Sequence, residues 1–95
     1  MSLPSADRIA VSVRESGDGH VALVTVSDRV ATTHRVRISA AERKRYGGGD
    51  VADLVRRSFD FLLEREPNSS ILGEFDLSTI ERYFPEFARE MAAGT

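Results

Sequence analysis

The chain has no cysteine and no tryptophan, only three prolines, and no apolar run near the roughly 20 residues that a bilayer-crossing helix needs. Without cysteine there is no disulfide, no thiolate metal site and no cysteine nucleophile. Nothing therefore calls for an oxidising compartment, and the expected location is the cytoplasm. Residues 1–5, Met-Ser-Leu-Pro-Ser, lack the basic stretch followed by an apolar one that marks a secretory leader, and they are expected to be disordered.

What is present is ordinary for a globular protein. The 95 residues are 41% hydrophobic and 29% charged, with a formal net charge of -2. That length suits a single domain spanning residues 1–95, and the composition argues against a disordered or fibrous chain. The charge is unevenly spread: residues 1–47 hold eight Lys or Arg against five acids, whereas the remainder holds five Arg against ten acids. A basic front half can serve nucleic acid, but an overall pI of about 5.6 is far from the profile of a nucleic-acid binder. Attraction between the halves, or head-to-tail assembly, accounts for the asymmetry equally well.

Residues 6–38 read as a β meander. Ile9, Val11 and Val13 alternate with Ala10, Ser12 and Arg14, the period of a half-buried strand. Ser16, Gly17, Asp18 and Gly19 supply turn chemistry, the run 20–27 is rich in β-branched residues, and residues 32–38 alternate again after a turn at Asp28 and Arg29. The middle strand is apolar on both faces, as expected if helices cover one side and a partner the other.

Residues 39–92 read as the helical part. Ser39 and Glu42 have capping-box spacing, Gly47, Gly48 and Gly49 stop the short helix that follows, and Asp50 caps a core helix running to about Arg65, before Pro67. A second capping box is expected at Ser78 and Glu81. Behind it Ile80, Tyr83, Phe84, Phe87 and Met91 form one apolar stripe, read as core packing, and Pro85 predicts a kink or a new helix start. The fold class is therefore α+β: a three-stranded antiparallel sheet with two to three helices on one face.

His34-Arg35-Val36-Arg37-Ile38, the run from Asp53-Leu54-Val55-Arg56-Arg57 through Phe59-Asp60-Phe61-Leu62-Leu63 to Pro67, and Phe75-Asp76-Leu77 with Tyr83-Phe84-Pro85-Glu86-Phe87 occur here in an order that resembles a group of short uncharacterised bacterial proteins. The resemblance spans most of residues 20–90. It implies a small bacterial protein and carries no activity, cofactor or catalytic residue.

The residues themselves point away from catalysis. His20 and His34 are placed by strand register about 13 Å apart, too far to share a metal ion. His34 is expected at the core margin, hydrogen-bonded, and His20 in solvent. The glycine run follows a helix and precedes an acid, the reverse of a phosphate loop. Asp60 with Glu64, and Glu64 with Glu66, are read as solvated helix charge beside Arg56 and Arg57. No serine lies in a glycine-flanked elbow. No enzyme activity, metal or cofactor is expected.

Register gives the most informative feature. One face collects Ile9, Val11, Val13, Ala22, Val24, Val26, Val36 and Ile38 for the helices. The other holds Val21 between Arg14 and Arg37, and Leu23 between Ser12 and Arg35. An apolar centre rimmed by arginine is the composition of a protein interface. The expected role is a small, non-enzymatic protein-interaction module, self-associating as a dimer, with Arg14, Val21, Leu23, Arg35 and Arg37 as interface residues. The alternative is a nucleic-acid-binding or regulatory accessory protein using the same arginines. No membrane partner is expected.

Overall fold

The computed structural model of the protein describes residues 8–93, so the expected disorder of residues 1–5 lies outside the described residues. The alternating segments form strands β1 (Ile9–Ser16), β2 (Gly19–Ser27) and β3 (Ala31–Ile38), joined as an antiparallel meander with β2 in the middle. Val24 sits opposite both Val11 and His34, and Ala22 opposite Val13 and Val36, so the inner face is assembled as period-two alternation requires. The β1–β2 turn closes tightly because Gly17 leads it at φ 62°. Gly19 lies so close to β3 that a Cβ there would sit 2.6 Å from the Ile38 carbonyl oxygen.

The sheet is larger than expected. A fourth strand, β4 (Glu74–Asp76), runs parallel to β3 at its outer edge, inside the stretch read as helical. The sheet is therefore four-stranded and mixed, not a three-stranded antiparallel one. Three residues are too few to display a period, and β4 exists through its neighbours. Arg35 donates its amide to Gly73 O, Leu77 donates to Arg37 O, and Phe75 turns inward opposite Val36.

Among the described residues the helices are α1 (Ala40–Arg45), α2 (Val51–Leu63), α3 (Thr79–Tyr83) and α4 (Phe87–Ala93), with a 3₁₀ turn at Asn68–Ser70. None is long and apolar enough to cross a membrane. At α1 the capping box forms as read: Ser39 Oγ accepts from the Glu42 amide at 3.0 Å and Glu42 Oε1 accepts from the Ser39 amide at 2.8 Å. The glycine run ends it, all three residues having positive φ. Asp50 caps α2 by accepting from the Asp53 amide. Val51, Leu54, Val55, Ser58, Phe59 and Leu62 then recur at three- and four-residue spacing and are buried. The buried Ser58 hydroxyl donates to Leu54 O at 2.8 Å, which meets its need for a partner without leaving the helix.

The second capping box does not form. Ser78 has helical backbone angles and its side chain makes no cap bond. Its amide instead donates to Glu42 Oε2 at 2.8 Å, so the Glu42 carboxylate ties α1 to the start of α3 as well as capping its own helix. Glu81 is thereby released from capping and accepts from Arg45 at 2.6 and 2.9 Å and from the Tyr46 hydroxyl at 2.8 Å. Tyr46, which sequence periodicity does not single out, is fully buried against Phe87, with ring centroids 4.9 Å apart. Pro85 falls in the break between α3 and α4, as a proline that cannot continue a helix must. That break rotates the expected stripe apart: Ile80, Phe87 and Met91 are buried, Phe84 is half-buried against Phe61, and Tyr83 is 69% exposed. Tyr83 is thus not a core residue.

Burial predicts the order of two substitutions. Phe87→Ala should cost about 3 to 5 kcal/mol, most of the stability of a domain this small. Phe84→Ala, which empties a half-exposed site, should cost about 1 to 2 kcal/mol and leave the protein folded. Urea midpoints of both variants test this, and equal losses would show that the two rings are equally embedded.

The Arg45–Glu81–Tyr46 contact predicts a pH dependence. Hydrogen bonds from Arg45 first and Tyr46 second hold the Glu81 carboxyl at about 2, against an ordinary 4.5. A lowered folded-state pKa contributes stability that is complete above the unfolded value and fades as pH falls from about 4.5 towards about 2. Glu81→Gln should lower Tm near neutral pH and shrink the gap to wild type over that acid range. A gap that stays constant across the range would show that ionised Glu81 adds no stability.

Candidate functional site

Because β2 is the middle strand and its side chains alternate, sending Ala22, Val24 and Val26 onto α2 forces Val21 and Leu23 outward. The structure brings together all five residues predicted for this face. Arg14, Val21 and Arg37 lie in one cross-strand row, and Ser12, Leu23 and Arg35 in the next. Leu23 is 43% exposed and Val21 half-buried, and the three arginines are exposed.

Strand β4 changes the electrostatics of the rim. It extends the first row to Asp76 and the second to Glu74. Arg37 donates to Asp76 Oδ1 at 2.7 Å and to Glu74 Oε2, and these hydrogen bonds, Asp76 first, raise its pKa further. Its charge is answered within the chain. Arg14 and Arg35 make no side-chain hydrogen bond or ion pair among the described residues. The face therefore has a cationic flank on β1, an apolar centre on β2, and a flank on β3 and β4 where two carboxylates surround Arg37. Among the described residues only β1 presents a long open edge, since β4 covers part of β3.

His34 is hydrogen-bonded as read, whereas His20, read as lying in solvent, is half-buried. His34 is buried with its ring tilted 52° against Phe59 at a centroid distance of 5.3 Å; its Nδ1 lies 2.8 Å from Leu72 O, which can only accept, so Nδ1 donates. Its Nε2 lies 2.9 Å from Thr32 Oγ1, which also accepts from Asn68 Nδ2, and Asn68 in turn donates to Val30 O. This network fastens the 68–72 segment to β3. His20 is half-buried beside a shallow hollow of about 270 Å³ that Arg43, Lys44, Gly48 and Gly49 also line. Arg43 is occupied there by donating to Gly49 O at 2.7 Å. No group of three metal-ligating side chains occurs among the described residues.

Asp60 departs from the solvated reading. It is half-buried, and burial pushes its carboxyl pKa up while the Arg8 and Arg56 guanidinium groups oppose the shift. Glu64 is exposed, as expected.

A second concavity, of about 260 Å³, was not legible in the sequence. Leu62 of α2, Ile71 and Phe75 around β4, and Ile80 of α3 form its buried floor, and Leu72 and Tyr83 stand exposed at its rim. These residues come from three elements whose meeting depends on β4, so no local pattern announces them. No family model, no curated protein and no solved structure matches the chain.

Proposed function

We propose that the protein is a non-catalytic interaction module that self-associates through the outer face of its sheet. The observation that carries this reading is Leu23, 43% exposed at the centre of the middle strand with Val21 beside it, inside a charged rim. Leaving that apolar pair in water forgoes hydrophobic stabilisation that a covering surface recovers.

Charge favours a second copy as that cover. A twofold axis along β2 stacks Val21 on Val21 and Leu23 on Leu23, and sets Arg14 of each copy over the Arg37, Glu74 and Asp76 group of the other. With Arg35 that flank holds two guanidinium groups and two carboxylates, so Arg14 meets a flank balanced in charge whose two carboxylates stand beside Arg37. The engagement of Arg37 also weakens the alternative of a phosphate-binding face, because freeing it breaks two hydrogen bonds within the chain.

The test is sedimentation at increasing protein concentration. The expected result is a dimer that Leu23→Glu dissociates without loss of fold, because a carboxylate cannot be desolvated in the apolar centre. Arg14→Glu should weaken the dimer and the weakening should diminish with salt. A monomer at all concentrations, or a dimer indifferent to Leu23→Glu, overturns the reading. Titration with mixed-sequence DNA and RNA at low salt should show no binding. Salt-sensitive binding whose slope falls by about one in Arg35→Ala would instead establish the phosphate reading.

A further inference from the structure

The groove between α2, α3 and the 71–75 segment is distinct from the sheet face, and its chemistry is different. Its floor is formed by Leu62, Ile71, Phe75 and Ile80, all buried, and its volume of about 260 Å³ exceeds the roughly 150 Å³ at which an apolar cavity already accepts a benzene ring. It can take one aromatic or large aliphatic side chain. It is smaller than the roughly 300 to 1,000 Å³ of sites that enclose whole cofactors.

Two features say what accompanies that side chain. Among the described residues Glu66 is the only charged one lining the groove, and its carboxylate has no hydrogen bond or ion pair there. The nearest basic neighbour in sequence, Arg65, is engaged elsewhere: it lies 3.6 Å from the Phe61 ring centroid and 5.9 Å from that of Phe84 at the groove's edge, and it donates to Phe61 O and Glu86. A cation beside the bound apolar group would thus meet an unanswered carboxylate. In addition, Leu72 is 50% exposed and Tyr83 69% exposed on the rim, outside the volume a single ring fills. A polypeptide passing over the groove covers both, whereas a free small molecule leaves them in water.

We infer that this groove docks a peptide segment of a partner protein in which a large apolar residue is followed by Lys or Arg, the apolar side chain filling the hollow and the cation pairing with Glu66. The inference stands independently of self-association through the sheet, which uses none of these residues.

The experiment is an amide-shift NMR titration of the full chain with two blocked tetrapeptides, Ala-Phe-Arg-Ala and Ala-Phe-Glu-Ala, and with benzylamine. The arginine peptide should shift the amides of Ile71, Leu72 and residues 79–84 and bind about fivefold more tightly than the glutamate peptide, the order expected of a partly exposed ion pair. Glu66→Gln should abolish that preference while keeping the free spectrum folded. Tyr83→Ala, at an exposed site, should weaken the arginine peptide without changing the preference. Equal binding of the two peptides, shifts confined to the sheet, or no shifts at millimolar peptide overturn the proposal. Benzylamine binding as tightly as the arginine peptide overturns the assignment of a peptide in favour of a small amine.

Discussion

The middle strand of the sheet cannot hide both of its faces in a domain this small, and the rest of the molecule is arranged around that constraint. Side chains along β2 alternate strictly, so committing Ala22, Val24 and Val26 to the helix α2 commits Val21 and Leu23 to the other side. A one-residue slip would exchange the two sets and destroy the core. The two-residue turn led by Gly17 and the close approach of Gly19 to Ile38 resist such a slip at one end of the strand. What this leaves outside is a small apolar centre that no element among the described residues covers.

Three residues of β4 then decide the character of that face and of its surroundings. By pairing with β3 they set Asp76 and Glu74 beside Arg37, turning an arginine rim into one with a cationic side and a side balanced by two carboxylates. The same segment sends Phe75 into the core and, with the His34, Thr32 and Asn68 network holding the 68–72 stretch, forms one wall of the groove that Glu66 borders. Both candidate surfaces therefore depend on a strand too short to be seen in the sequence.

Carboxylates show the same dependence on context. Ser39 with Glu42 and Ser78 with Glu81 have the same spacing, yet only the first pair closes a capping box. Glu42 has two oxygens and uses the second on the Ser78 amide, which removes the donor that Glu81 would otherwise have served. Glu81 then joins Arg45 and buried Tyr46, linking α1 to α3. Both boxes satisfy the local rule, and the choice between them is made by which helix ends meet.

The amino-acid sequence by itself determined the meander, its register, the cap and stop of α1, the buried stripe of α2, the break at Pro85 and the juxtaposition of Arg14, Val21, Leu23, Arg35 and Arg37. Each follows from interactions between residues close along the chain, or from a period that two short turns carry from strand to strand. Tertiary structure alone decided the fourth strand, the burial of Tyr46, the exposure of Tyr83, the capture of Arg37 by Glu74 and Asp76, and the groove. These rest on contacts across about 20 to 40 residues of chain, where neither periodicity nor turn geometry reaches and only the packed arrangement selects which partners meet.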